Sequence, residues 1–129
     1  MRPNEASYKI IGAAMKVHTA LGPGLVESAY EKALCRELSN VGLKFCRQVA
    51  LPVVYDGAKL APAYRIDFVV EECVVVEIKA VEKILPVHHT QLLSYLRLAN
   101  MPLGLLLNFK VAHLRDGIVR KINAPENEL

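Results

Sequence analysis

The stretch Tyr64 to Ala80, YRIDFVVEECVVVEIKA, decides how this chain folds. Val69, Val70, Val74, Val75, Val76 and Ile78 have the β-branched chemistry of strands buried on both faces. Asp67, Glu77 and Lys79 interrupt that apolar run, and charges in such a setting need partners. Side chains alternate along a strand, so Glu77 and Lys79 share one face while Val76 and Ile78 take the other.

Where Asp67 points depends on the turn. A two-residue turn at Glu71-Glu72 would pair Asp67 with Val76 and aim it away from Glu77. A three-residue loop, Glu71-Glu72-Cys73, sets Asp67 directly opposite Glu77, and this is the expected register. Two carboxylates facing each other in a desolvated hairpin repel, so the arrangement calls for a cation between them. A divalent metal with oxygen ligands would supply it. The plainer alternative is a charged strand end satisfied by neighbouring side chains and water.

Upstream of the hairpin, two helices flank Gly22-Pro23-Gly24. The first is expected from Ser7, as N-cap, to about Ala20, with Ile10, Ile11, Ala14, Val17 and Leu21 at helical spacing. The second runs from about Leu25 to Asn40 and stops at Gly42. Its apolar stripe is Val26, Ala29, Tyr30, Ala33, Leu34 and Leu38. Glu27 in its first turn has two explanations. It complements the helix dipole, or it delivers a third carboxylate to Asp67 and Glu77.

Between these helices and the hairpin, Gln48 to Tyr55 reads as a strand, Asp56-Gly57 as a turn, and Pro62 as a break before the return. With the hairpin this gives a three-stranded meander. Downstream, Pro86 opens a third helix that ends near Asn100, with Leu92, Leu93, Leu96 and Ala99 toward the core. Gln91 and Tyr95 lie one turn apart on one face of it. Leu103 to Phe109 suits a buried strand parallel to a neighbour, because a helix precedes it. Val111 to Arg115 and Ile118 to Ile122 are expected to pair around Asp116-Gly117.

The 129 residues fit one domain over 1–129, with 1–6 and 124–129 frayed. Hydrophobic residues make up 53% against 22% charged, enough apolar surface to suggest a homo-oligomer. No apolar run is long enough to cross a bilayer and no signal-peptide pattern is present, which excludes a membrane partner and points to the cytoplasm. Cys35, Cys46 and Cys73 have neither disulfide nor zinc spacing. The net charge of +3 permits a nucleic-acid partner. Of the histidines, His18 is expected to bond backbone near the Gly-Pro-Gly break. His88 and His89 stand at a helix N-terminus, where they could touch a phosphate.

Gly24-Leu25-Val26-Glu27-Ser28-Ala29-Tyr30 fits the motif that names the GxxExxY proteins. Asp67, then Glu77-Ile78-Lys79, then Gln91 and Tyr95 follow it, an ordered set that resembles the PD-(D/E)XK nuclease superfamily. The Gln-x-x-x-Tyr spacing is similar to that of its RecB-like members. The resemblance runs from about Ile10 to Ile122, and Ile66 stands where the superfamily name has Pro. It implies an α/β fold, a restriction-endonuclease-like core with a mixed β-sheet flanked by helices. It also implies a metal-dependent nuclease acting on nucleic acid, with DNA the expected partner.

Under this resemblance Asp67, Glu77 and the backbone carbonyl of Ile78 would hold Mg²⁺ or Mn²⁺, with Glu27 joining directly or through water. Lys79 would orient the attacking water or stabilise charge on the phosphate. Gln91 and Tyr95 would position the strand or hold the metal-bound water network, with His88 a lesser candidate for phosphate contact. The rival expectation is a non-catalytic nucleic-acid-binding or scaffold module that keeps the carboxylates as a structural cation site. A phosphohydrolase for small nucleotides is a third, and it would need a closed pocket.

Overall fold

The hairpin closes in the expected register. In the computed structural model, which describes residues 1–60 and 64–129, Val70 pairs with Val74, Val69 with Val75 and Phe68 with Val76. Glu71, Glu72 and Cys73 form the loop. Glu71 and Glu72 both hold left-handed backbone, with φ of 52° and 56°, a conformation that costs non-glycine residues energy. The Glu71 carboxylate offsets part of that cost by accepting the Lys44 N–H at 2.6 Å.

Around this hairpin the helices α1 (Pro3–Leu21) and α2 (Glu27–Asn40) come first. Strands β1 (Phe45–Leu51), β4 (Tyr64–Val70), β5 (Val74–Lys79), β6 (Leu103–Asn108) and β7 (Ile118–Ile122) form one sheet in the order β1-β4-β5-β6-β7. Strands β2 (Val54–Tyr55) and β3 (Ala58–Lys59) make a separate small hairpin turned at Asp56-Gly57. Helix α3 (Pro86–Ala99) carries the chain from β5 to β6, which run parallel as a helical crossover requires. All other neighbours are antiparallel. The result is the mixed α/β sheet flanked by helices that the sequence implies.

Burial separates the two faces. Ile10, Ala14, Tyr30, Leu34 and Leu38 of α1 and α2 pack on Phe68, Val70, Val74, Val76 and Ile78. Leu92, Tyr95 and Leu96 of α3 pack on Ile66, Val75 and Leu106 from the other side. Strand β5 is therefore covered twice, as its run of valines requires. Among the described residues no helix is long and apolar enough to cross a membrane.

Several expectations need correction. Helix α1 starts at Pro3, not Ser7: proline suits the first helical position, and Ser7 is buried inside the helix. At the chain ends, where fraying is expected, residues 3–6 open helix α1, the Asn4 N–H donates to the Leu129 carbonyl at 2.8 Å, and Ala6 and Leu129 are buried. Helix α2 begins at Glu27, and Val26 lies outside its stripe at 69% exposure. The first strand spans Phe45 to Leu51, and Val54 and Tyr55 belong to the small hairpin, so the meander is β1, β4 and β5. The expected break at Pro62 falls outside the described residues.

Val111 to Arg115 is not a strand. A 3-10 turn at Leu114–Gly117 leads into β7, which pairs with β6 instead. Gly117 is needed there for space, since a Cβ would collide with the Asn108 carbonyl oxygen. Gly117→Ala is expected to destabilise the fold by about 1–3 kcal/mol, read as a lower urea midpoint at unchanged slope. His18 does bond backbone, but its Nε2 reaches the Val111 carbonyl at 2.8 Å rather than the nearby glycine break.

Candidate active site

The backbone ladder between β4 and β5 ends at Phe68 and Val76. Beyond that point side chains take over. The Asp67 N–H donates to Glu77 Oε1 at 3.1 Å, and the Ile78 N–H donates to Asp67 Oδ2 at 2.8 Å. The two carboxyl groups thus stand in for the next rungs of the sheet, wedged where the strands part.

This placement is electrostatically costly. Glu77 is 8% exposed, and burial first, then the Asp67 charge, pushes its carboxyl up to about 8. Burial also raises Asp67, against the pull of the Ile78 N–H. Burial and the neighbouring Asp67 charge therefore favour the protonated form of Glu77. A carboxyl pair in that state is a site that a cation stabilises.

Lys79 is half-buried two residues beyond Glu77. Val75 packs under α3, so by strand alternation Glu77 and Lys79 face that side too. The Lys79 charge lowers both Glu77 and Glu27, and among the described residues Lys79 enters no ion pair. Its backbone is fixed just past the end of β6, where the Phe109 N–H donates to the Lys79 carbonyl at 2.9 Å. Buried Asn108 then clamps the outgoing chain: its Oδ1 accepts the Val81 N–H at 3.1 Å, and its Nδ2 donates to the Val81 carbonyl at 2.9 Å.

Glu27 arrives from the other layer, in the first turn of α2. Burial first, and then Asp67, raise its carboxyl, although the residue lies at the surface. The start of that helix is set by Tyr30, stacked on Phe109 with ring centroids 4.6 Å apart. The Tyr30 hydroxyl donates to the Gly22 carbonyl at 2.5 Å and accepts the Leu25 N–H at 3.0 Å. The spacing of Gly24, Glu27 and Tyr30 therefore has a mechanical meaning: the tyrosine stitches the loop from which the glutamate starts.

Tyr95 is buried on α3 and feels the pair. Burial, then the Glu77 charge, raise its hydroxyl to about 12. Gln91 is half-buried one turn earlier. The Glu77 carboxyl accepts the Asp67 N–H, and the Asp67 carboxyl accepts the Ile78 N–H and the Gln48 amide; among the described residues neither is bonded to Gln91 or His88. His88 caps its own helix, its Nδ1 accepting the Leu85 N–H at 2.9 Å. Its Nε2 must then carry the proton when the ring is neutral.

Two contributors escaped sequence reasoning. Gln48 Nε2 donates to Glu31 Oε1 at 2.6 Å and reaches Asp67 Oδ1 at 3.4 Å. Glu31, one helical turn after Glu27, adds a further negative charge beside Asp67. Glu31 was detectable by its spacing from Glu27, whereas nothing in the sequence marks Gln48.

Among the described residues no group of three or more His, Cys, Asp or Glu side chains could hold a metal ion. The expected triple of Glu27, Asp67 and Glu77 is therefore not assembled as a cage. The two-carboxylate donor set still suits a hard cation such as Mg²⁺, which keeps several waters and takes one or two protein carboxylates.

A mixed sheet flanked by helices, with paired carboxyls and a lysine where its central strands part, defines a restriction-endonuclease-like protein. A family model for the PD-(D/E)XK nuclease superfamily matches residues 4–121, and the chain belongs to that superfamily. Nucleases of this superfamily generally use divalent metals. Comparison with curated proteins and with solved structures finds no match.

Proposed function

We propose that this chain is a metal-dependent nuclease that hydrolyses phosphodiester bonds, with DNA as substrate. The observation that carries the reading is half-buried Asp67 beside buried Glu77, both raised toward protonation, with Lys79 two residues beyond Glu77 on the same strand. Superfamily membership supports a nuclease and a nucleic-acid partner at the coarser level. The placement of Glu27 and Tyr30 at the head of α2 supports a GxxExxY-type member, with the single domain extending over 1–129.

In this reading Asp67, Glu77 and the Ile78 carbonyl would hold Mg²⁺ or Mn²⁺, with Glu27 contributing directly or through water. When bound, the cation polarises the scissile phosphate and lowers the pKa of a water. Lys79 presents an ammonium to the negative charge that builds on the phosphate. Tyr95 and Gln91 position the strand from α3, and the Nε2–H of His88 donates to a flanking phosphate. Two clefts lie elsewhere, one lined by Lys44, Phe45 and Glu71 and the other by Met15, His18 and His113.

The proposed setting is the cytoplasm, which suits three free cysteines. A homo-oligomer suits the exposed Val54, Tyr55 and Val87. One observation favours the rival non-cutting module: the carboxyl groups already serve the sheet as rungs.

Calorimetric titration of Mn²⁺ into the wild type and Asp67→Ala tests the metal site without a guess about substrate. Saturable binding in the wild type is expected to disappear in the variant. Equal binding in both, or none in either, would count against the assignment. Asp67→Asn then separates the two readings, since a structural site mainly changes melting and a catalytic one mainly turnover.

A further inference from the structure

Strand β1 contains a residue in a conformation that strands avoid. Gln48 has φ of 49°, in the left-handed region, within a strand otherwise regularly paired to β4. Arg47 pairs with Phe68 and Val49 with Ile66, while Gln48 and Asp67, which stand between them, form no backbone pair.

The alternation of the sheet breaks at this point. Phe45, Phe68 and Val70 pack toward α1 and α2. Regular alternation would send Val49 and Ile66 the same way, yet both pack toward α3. The two strands therefore exchange faces together across Gln48 and Asp67. Asp67 is left out of both cores, and its side chain reaches the Ile78 N–H, a group that regular pairing would give to backbone.

The exposed Gln48 side chain spans this break. Its amide donates to Glu31 on α2 at 2.6 Å and lies 3.4 Å from Asp67 Oδ1. Arg65 Nη1 donates to the Gln48 carbonyl at 3.4 Å, and Arg47 Nη2 lies 3.7 Å from the same Glu31 oxygen that the Gln48 amide bonds. The strained residue is thereby tied to the helix that carries Glu27 and to the carboxylate that faces Glu77.

We propose that Gln48 is a positioning residue: its left-handed backbone and bridging amide turn Asp67 toward β5 and tether Glu31 beside it. The left-handed turn sets the direction of Asp67, and the amide holds Oδ1 so that Oδ2 stays on the Ile78 N–H. Its consequence for cation binding rests on the nuclease reading above, whereas the orientation of Asp67 does not.

The test uses the full chain and two variants that tolerate left-handed backbone, Gln48→Gly and Gln48→Asn. Glycine removes the amide, and asparagine shortens it by one methylene, too short for both partners. In each, the Ile78 amide is expected to exchange with solvent about tenfold faster while the Val75 and Val76 amides keep their wild-type rates. Mn²⁺ binding is expected to weaken by about 10–100-fold, with melting unchanged. An unchanged Ile78 rate in both variants would overturn the proposal, as would faster exchange spread evenly along β5, which marks a merely structural role. If the wild type takes up no Mn²⁺, the metal reading fails, and the Ile78 exchange rate still decides the role of Gln48.

Discussion

Lys79→Ala is expected to lose phosphodiester cleavage by about 10²–10⁴-fold while keeping its melting temperature and its Mn²⁺ binding. Lys79 enters no ion pair among the described residues, so its removal strands no buried carboxylate partner. Its backbone hydrogen bond to Phe109 and the Asn108 clamp on the following chain do not involve the side chain. The ammonium does act at a distance on Glu27 and Glu77, in each case lowering the carboxyl. Its loss therefore raises both carboxyls modestly, an effect to be separated by assaying at high pH and saturating cation. Single-turnover cleavage of a DNA substrate gives the answer. Turnover within about threefold of wild type would remove Lys79 from the chemistry.

Glu77→Gln is expected to do the opposite of most buried substitutions and stabilise the fold in alkali. The folded protein holds a proton on Glu77 up to about pH 8, whereas the unfolded chain releases it near the ordinary value of 4.5. Between those limits the folded state binds more protons, so its stability is complete below about pH 4.5 and declines as pH rises through about 8. Glutamine keeps the acceptor for the Asp67 N–H and stays neutral throughout. A shift of this size corresponds to at most about 5 kcal/mol. Because the charge on Asp67 contributes to the shift and the two groups titrate together, the expected gain at pH 9 is about 1–3 kcal/mol, vanishing near pH 4. Urea unfolding of both proteins at pH 4, 7 and 9, without divalent cation, measures it. Parallel profiles would show that burial does not hold the proton. The same variant is expected to lose cation binding, in keeping with stability and activity pulling against each other at such a site.

The hairpin was legible because two physical rules converge on it. Period-two alternation places Glu77 and Lys79, and loop arithmetic over Glu71, Glu72 and Cys73 places Asp67. Neither rule needs knowledge of the rest of the chain. The helical crossover before β6 was legible for the same reason, since a parallel neighbour requires it. What sequence could not show depends on distant partners. The left-handed Glu71 is supported by Lys44, 27 residues away in sequence. Gln48 is supported by Glu31 and Asp67, 17 and 19 residues away, and no local propensity marks it. Ser7 looked like a cap because it is a good one in isolation, but Pro3 and the Asn4 bond to Leu129 start the helix a turn earlier. Asp116-Gly117 looked like a hairpin turn because composition favours one. There the free edge of β6 is the stronger attraction for the strand that follows.

Asp67 and Glu77 serve the sheet through their oxygens and their main chain, not through their charge. Asparagine at 67 would still offer an oxygen to the Ile78 N–H, and glutamine at 77 an oxygen to the Asp67 N–H. Each exchange is a single base change in the genetic code. Shape and carboxylate chemistry can thus part company in evolution without passing through an unfolded intermediate, and a descendant that keeps the sheet but carries no charge at either position lies two mutational steps away. Relatives of this chain with amides at these positions would be read as repurposed proteins, not decayed ones.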